Sequence, residues 1–221
     1  MLVIDGSYGE GGGQILRNAA AFAAILGKDL AIQNIRAGRS QPGLRRQHIT
    51  GLKLLADCCG GQVDGAFVGS REIRFRVPSH VGRTAGSDDG IHFRFLKGDT
   101  QTAGSICLLL QAALPYALVG GDQIRWNFKG GTNASMAPQY DYWEHIFLPT
   151  IKQQLHLPNE AIQPQVIRRG FFPKGGGEVP FGICALPGEE IGNTLFTGGA
   201  DHQVRVGHAG GEKILGTRIF C

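Results

Sequence analysis

The residues of this chain that could do chemistry begin in a glycine-rich segment, residues 5–17, which reads DGSYGEGGGQILR. The segment places one carboxylate, Glu10, among glycines and one cation, Arg17, at the start of a helical pattern. Backbone N–H groups at a helix N-terminus attract phosphate, a carboxylate suits Mg²⁺, and a guanidinium suits phosphate oxygens. The segment matches neither the P-loop nor the GxGxxG fingerprint. Its glycine spacing alone therefore leaves a plain tight turn equally open.

A second candidate segment, residues 36–48, is basic and reads RAGRSQPGLRRQH. Arg36 and Arg39 flank a glycine, so a bent backbone could direct both guanidinium groups to one phosphate. Arg45 and His48 are three residues apart, which places them on one face of a helix. A solvated basic loop explains each arginine taken alone. The combination with the glycine-rich segment favours an anion site.

The remaining candidates lie in the second half of the chain. Gln111 is an amide in an otherwise apolar helical pattern, so it either bonds to backbone groups or faces a site. In residues 130–141, GGTNASMAPQYD, Pro138 could form one wall of a base pocket or could simply begin a helix. Residues 171–178, FFPKGGGE, are typical of a hairpin connection that carries a cation, or of a plain turn. The histidines other than His48 show no metal-binding spacing.

The two segments of the first half fall between elements of a predicted β-α-β-α-β-β unit. Apolar residues recur at helical spacing over 14–26 and 44–55, and glycines follow both stretches. Apolar or alternating runs predict strands at 2–4, 30–35, 63–68 and 72–77. Each candidate segment therefore follows a strand and leads into a helix.

The second half repeats this order of elements. Strands are predicted at 91–96, 123–128, 165–168 and 178–183, and helices at 102–118 and 140–155, where Pro115 and Pro149 should kink or shorten them. Helices on one face of four-stranded mixed sheets satisfy both periods, so the predicted fold class is α+β, built from tandem β-α-β-α-β-β repeats. We expect one repeat at 1–78, a second at 91–183, and a divergent tail at 184–221 that could begin an inserted domain.

Composition excludes several classes of protein. The chain has 221 residues, of which 35 are glycines without a three-residue period, and 42% are apolar, which excludes collagen and a disordered polymer. A net charge of +4 suits a phosphate-rich partner without requiring one. Five cysteines form no even disulfide framework, and neither a secretory signal nor a membrane-spanning run is visible. We expect an intracellular protein, nuclear or cytoplasmic, with no membrane partner.

Four stretches, DGSYGEGGGQILR, IRAGRSQPGLRRQH, GGTNASMAPQ and RRGFFPKGGGEV, resemble the RNA 3'-terminal phosphate cyclase family in their order and separation. The resemblance implies a ligase that uses ATP to convert the 3'-phosphate end of RNA into a 2',3'-cyclic phosphate, through enzyme-adenylate and RNA-adenylate intermediates. It implies that Glu10 helps to hold Mg²⁺ or Mn²⁺ and that Gln111 and Pro138 contact the nucleotide. The catalytic phosphate site would comprise Arg17, Arg36, Arg39 and His48.

One departure from the family bears on activity. The nucleophilic histidine of the family lies far downstream, in a further repeat, and no histidine of this chain matches it; we therefore expect this chain to lack the nucleophile. An alternative is a non-catalytic, cyclase-like factor for ribosomal RNA processing, although such relatives lose phosphate-site residues that are present here. An enolpyruvyl transferase shares the repeat architecture but would not explain the GGTN and FFPKGGGEV motifs.

Overall fold

The first repeat is a four-stranded mixed sheet with two helices. The computed structural model describes residues 1–78, 94–120 and 123–183. The elements of the first repeat are β1 (Leu2–Asp5), α1 (Gly13–Leu26), β2 (Leu30–Gln33), α2 (Arg46–Cys59), β3 (Gln62–Asp64) and β4 (Ile73–Arg76). The strand order is β1-β2-β4-β3, with β1 parallel to β2 and the other pairs antiparallel.

The second repeat has the same topology. Its elements are β5 (Arg94–Asp99), α3 (Ile106–Gly120), β6 (Ile124–Gly130), α4 (Tyr140–Tyr142), a π-helical turn (Trp143–Phe147), α5 (Leu148–Gln154), a 3₁₀ turn (Asn159–Ala161), β7 (Ile162–Pro164) and β8 (Gly177–Ile183). The strand order β5-β6-β8-β7 corresponds to that of the first repeat, with β5 parallel to β6. The predicted α+β class with tandem repeats is confirmed.

Helix α1 forms where its apolar period predicts it. Leu16, Ala20 and Ala23 are buried on one face of the helix. Gly27 ends the helix in a left-handed conformation, and its backbone N–H donates to the carbonyls of Ala23 and Ala24. A residue without Cβ adopts this conformation at little cost, which is why glycine is common directly after helices.

Among the boundaries in the first repeat that differ from prediction, two have a clear cause in the backbone. Helix α2 begins at Arg46 rather than at residue 44, because Leu44 is held in the preceding loop, where its N–H donates to the carbonyl of Ser70. Strand β3 ends at Asp64 rather than at residue 68. Gly65 follows it with a φ of +78° and begins the turn to β4. The predicted strand at 63–68 is therefore too long.

The predicted helix at 140–155 is interrupted by a π-helical turn. The N–H of Leu148 donates to the carbonyl of Trp143, five residues earlier, and Pro149 follows at the start of α5. Because proline has no N–H and its ring crowds the preceding turn, a wider turn directly before it relieves that clash. Pro115 has no such effect on length, since α3 continues to Gly120.

The strand that pairs with β8 lies earlier in the chain than predicted. Strand β7 ends at Pro164, before the strand predicted at 165–168. Beyond it, the N–H groups of Ile167 and Arg168 both donate to the carbonyl of Glu178, so two residues oppose one. This arrangement is a β-bulge, which bends the strand and ends regular pairing.

The two repeats are joined by a shared helical core and by polar contacts. Helices α1, α2 and α3 pack against one another. Thr50 on α2 donates to the carbonyl of Asp99 at the end of β5, and Arg46 donates to Gln101. Across the described ranges, no helix is long and apolar enough to cross a membrane. The predicted tail at 184–221 lies outside those ranges, and the predicted domain boundaries stay predictions.

Candidate phosphate-binding site

The two candidate segments meet because β1 and β2 are parallel, which brings their carboxyl ends to the same edge of the sheet. The loop after β1 spans residues 6–12 and the loop after β2 spans residues 34–45; we call them the phosphate-site loops. Gly6 donates to the carbonyl of Gln33 at 2.7 Å, which joins the loops at their bases. Ligands of open α/β sheets characteristically bind at such an edge.

Two adjacent glycines allow the side chains of the site to approach one another. A Cβ on Gly13 would collide with Nε2 of His48 and would lie 3.3 Å from Nη1 of Arg17. A Cβ on Gly12 would lie 3.2 Å from Oε1 of Glu10 and 3.4 Å from Nη2 of Arg39. The loop glycines therefore leave space that the charged groups share, at the N-terminus of α1. Of the sequence-predicted site residues, Glu10, Arg17, Arg39 and His48 come together here.

His48 is fixed in the first turn of α2. Its Nδ1 accepts a hydrogen bond from the backbone N–H of Arg45 at 3.1 Å, so Arg45 precedes the helix rather than lying within it. Burial lowers the pKa of His48 to about 4, assisted by the nearby charges of Arg36, Arg17 and Arg45. A neutral imidazole that accepts at Nδ1 carries its proton at Nε2. His48 therefore presents an N–H donor next to Gly13.

Arg17 is held by a residue of the second repeat. Its Nε donates to Oε1 of Gln111 on α3 at 3.1 Å, and burial lowers the pKa of its guanidinium. The sequence pattern predicted Arg17 at the start of the helix. Because α1 begins at Gly13, Arg17 lies instead in its second turn. The polar residue in the apolar α3 thus orients a cation of the first repeat.

Arg36 is placed among other cations. It adopts a left-handed conformation with a φ of +54°, and its Nη1 donates to the carbonyl of Gly43 at 3.0 Å. Its pKa is lowered by burial and by the charges of Arg45 and Arg39. Arginine remains charged in proteins, so the lowered pKa reflects first the cost of burying this charge and then its repulsion by the neighbouring cations. A bound anion would offset this unfavourable energy by attracting the guanidinium groups.

Glu10 is an exposed carboxylate that forms an ion pair with one of these cations, Arg39. Its Oε2 lies 2.9 Å from Nη2 of Arg39, and its side chain is 79% exposed. Mg²⁺ usually takes one or two protein carboxylates and completes its shell with water and substrate phosphates. Glu10 therefore fits a metal ion shared with a phosphate ligand, and it does not by itself form a protein-only site.

Another group of side chains has metal-ligand geometry in the described part of the chain. Asp141, Glu144 and His145 bring ligand atoms within 4.8 Å of one another. Both oxygens of Asp141 already accept hydrogen bonds from Arg169, at 2.6 and 2.8 Å. The Arg169 guanidinium therefore already takes both carboxylate oxygens that a metal ion would need as ligands.

Pro138 lies in a loop of the second repeat, whereas the clustered arginines belong to the first repeat. It is exposed in the loop between β6 and α4, the counterpart in the second repeat of the loop between β2 and α2. Sequence reasoning overlooked Gln47, whose Oε1 accepts from the N–H of Ser105 at 2.9 Å and so joins α2 to the loop before α3. Its position beside His48, in the basic segment, is the signal that could have identified it.

Comparison with known proteins finds relatives over most of the chain. A family model described as "RNA 3'-terminal phosphate cyclase" matches residues 8–193. A protein of that name from Nitrosospira multiformis is 44% identical over 179 residues, which cover 81% of this chain and 46% of that protein. One from Ignicoccus hospitalis is 42% identical over 212 residues, which cover 93% of this chain and 56% of that protein. The chain thus spans about half the length of these relatives.

Proposed function

This chain belongs to the RNA 3'-terminal phosphate cyclase family, and on that premise we propose that its clustered arginines bind the terminal phosphate of an RNA 3' end. The reaction served by this site is the ATP-dependent conversion of that phosphate to a 2',3'-cyclic phosphate. The RNA 2'-hydroxyl attacks the phosphorus after adenylylation has activated it, and AMP leaves. The proposed intermediates are an enzyme-adenylate and an RNA-adenylate.

The observation that carries the proposal is the mutual proximity of cations around the neutral His48. Arg17, Arg36 and Arg45 all lower the pKa of that histidine, while one carboxylate, Glu10, lies opposite Arg39. Folding places these groups together at an energetic cost, which a multiply charged phosphate would offset. Fixed guanidinium groups and an N–H donor stabilise negative charge that spreads over phosphate oxygens as the reaction proceeds.

A divalent ion and ATP are part of the proposal. Glu10 would hold Mg²⁺ or Mn²⁺ jointly with phosphate oxygens, and the metal would neutralise charge on those oxygens. Gln111 would contact the nucleotide while it orients Arg17, to which it is bonded at 3.1 Å. Pro138 would pack against the adenine. Its exposure in the loop before α4 leaves its ring accessible to a ligand.

We assign His48 to binding rather than to nucleophilic attack. Its Nδ1 is occupied by the Arg45 N–H and its Nε2 carries the proton, so neither nitrogen offers a free lone pair. The adenylyl-accepting histidine of the proposed reaction is therefore a residue other than His48.

The proposal is tested by binding of fluorescein-labelled RNA that ends in a 3'-phosphate or a 3'-hydroxyl, measured by fluorescence anisotropy. The 3'-phosphate end should bind more tightly, and Arg39→Ala should weaken it about tenfold, since a charge-assisted hydrogen bond is lost. Arg74→Ala, on an exposed position of β4, is the matched control and should bind as the unmodified chain does. Equal affinity for the two ends would refute a phosphate site.

A second arm uses ATP labelled at the α-phosphate and a denaturing gel. We expect no label to remain on the 221-residue chain, because none of its seven histidines matches the family's nucleophile and His48 is assigned to binding. Label that persists after denaturation, and that His48→Asn abolishes, would show that the histidine is the nucleophile and would overturn its assignment to binding.

A further inference from the structure

The connection between β7 and β8 exposes two aromatic rings side by side. We call residues 165–176 the Phe hairpin. Phe171 is 55% exposed and Phe172 is 86% exposed at its tip, where Lys174 is also exposed. Among the described residues, Lys174 takes part in no hydrogen bond or ion pair. Adjacent exposed phenylalanines cost solvation free energy unless a partner covers them.

The Phe hairpin holds these rings on a backbone that is fixed by hydrogen bonds. Phe171 donates to the carbonyl of Gly175 at 3.1 Å and accepts from its N–H at 2.7 Å. The side chain of Arg168 donates to the carbonyl of Gly176 at 2.6 Å. At the base, the N–H of Gly170 donates to Oγ1 of Thr132 at 3.1 Å. Because the backbone is already fixed, a partner would bind the rings at a low cost in conformational entropy.

The charge around the rings is positive. Lys129 and Arg168 lie 3.5 and 4.0 Å from the single carboxylate of Glu178, while Lys174 adds a further cation. Arg169 is neutralised by its two hydrogen bonds with Asp141. Aromatic rings next to unneutralised cations are the combination that binds single-stranded nucleic acid, through base stacking and phosphate contacts.

The hairpin is linked to the phosphate-binding site through one intervening loop, residues 100–105. A Cβ on Gly175 would collide with the carbonyl of Thr102, so the hairpin tip rests on the loop before α3. The N–H of Ser105, in that loop, donates to Gln47, and Gln47 directly precedes His48. Contacts therefore run without a break from the arginine cluster, across the loop at 100–105, to the Phe hairpin.

We propose that the Phe hairpin binds the nucleotides that precede the 3' end of a single-stranded RNA, with bases stacked on Phe171 and Phe172 and a backbone phosphate on Lys174. The inference rests on the proposed function, because it takes the terminal phosphate to occupy the arginine cluster. It adds a second contact region, which reads length and single-strandedness rather than the chemistry of the end.

The test compares a dinucleotide with a decanucleotide, both ending in a 3'-phosphate, by fluorescence anisotropy with the 221-residue protein. The decanucleotide should bind at least tenfold more tightly, and the double variant Phe171→Ala/Phe172→Ala should lose about tenfold for the decanucleotide while binding the dinucleotide unchanged. Phe95→Ala, which removes another exposed phenylalanine on β5, is the matched control and should lose nothing. Lys174→Ala should reduce the slope of log affinity against log salt concentration by about 0.7.

Substitution at Phe172 separates stacking from simple apolar contact. Phe172→Trp should restore or increase decanucleotide affinity in the Phe171→Ala background, whereas Phe172→Leu should not, because leucine has no π-face. A double variant that keeps the full length dependence overturns the inference and makes a protein the better partner for this surface. If the double variant loses the length dependence while the unmodified protein binds 3'-phosphate and 3'-hydroxyl ends equally, the hairpin is supported and the terminal phosphate site is refuted. A decanucleotide that binds no better than the dinucleotide refutes the hairpin alone.

Discussion

At the scale of single residues, the neutrality of His48 decides what the site can do. An imidazolium among three arginines would repel them, whereas a neutral ring with its proton at Nε2 adds a donor without adding charge. Burial and the neighbouring cations lower the pKa of this histidine to about 4. The bond from the Arg45 N–H to Nδ1 selects the tautomer, and so a helix cap also sets the chemistry of a ligand site.

This pKa predicts a dependence of stability on pH. In the unfolded chain His48 has its ordinary pKa of about 6.5, so between that value and 4 the unfolded state binds a proton that the folded state excludes. Stability should fall as the pH falls through this window, by about 2 kcal/mol between pH 7.5 and 5.0 from this residue. Urea unfolding at both pH values should show that the variant His48→Asn, which keeps an acceptor for the Arg45 N–H, has lost this component.

His145→Asn is the control for that experiment. The side chain of His145 is 69% exposed, so its removal should leave the pH dependence as it is in the unmodified chain. An unchanged pH dependence in His48→Asn would show that the imidazole is not shielded from protons in the folded state.

The sequence predicted most of the site's residues, but not how they are held. Glycine and arginine spacing predicted that residues 5–17 and 36–48 form one anion site. The structure places Glu10 2.9 Å from Arg39, and the role of these residues at a phosphate stays a prediction. The bond between Arg17 and Gln111 joins positions 94 residues apart, and no local period carries such information. The roles of Gln111 and Pro138 at a nucleotide stay predictions.

At the scale of elements, the C-terminus of α2 is capped by a residue of another repeat. Arg94, the first residue of β5, donates from Nη1 to the carbonyl of Cys58 at 2.8 Å and from Nη2 to that of Asp57 at 2.6 Å. The last carbonyls of a helix have no partner within it and carry partial negative charge. A guanidinium satisfies both needs and fixes β5 against α2.

Removal of this cap should destabilise the fold. Arg94→Met keeps most of the apolar stem but leaves two carbonyls without their charged donor, so the free energy of unfolding should fall by about 2 kcal/mol. Chemical denaturation of the variant and of the unmodified chain at neutral pH measures this change in the free energy of unfolding. Arg74→Met, at an exposed position of β4, is the comparison and should change stability by less than about 0.5 kcal/mol. Equal stabilities of the two variants would mean that the Arg94 contacts contribute nothing net.

The elements themselves were predictable where a period and a glycine agreed. Helix α1 ends at the predicted residue because apolar spacing and Gly27 give the same boundary. Helix α2 begins late because Leu44, although apolar and in register, is bonded to Ser70 in the loop. The π-helical turn before Pro149 and the bulge opposite Glu178 arise from backbone geometry, which residue periods do not encode.

At the scale of the whole molecule, the repeats share one core, and this predicts one unfolding transition. The two tryptophans, Trp126 and Trp143, are both buried in the second repeat, whereas the buried Cys58 lies in the first. The indole of Trp126 contacts the Cys58 thiol, whose pKa burial raises to about 12. Probes in different repeats therefore report on surfaces that are packed against each other.

Tryptophan fluorescence and pulsed thiol labelling of Cys58, resolved by peptide mass spectrometry, should give the same urea midpoint. The reason is that exposing Cys58 requires α2 to leave α3 and Trp126, which removes core from both repeats at once. Cys107 on α3 serves as an internal reference for the second repeat and should become reactive in the same transition. If Cys58 were labelled at lower urea than the fluorescence change, the first repeat would unfold alone, and Gln111 could not then keep Arg17 in place through a shared core.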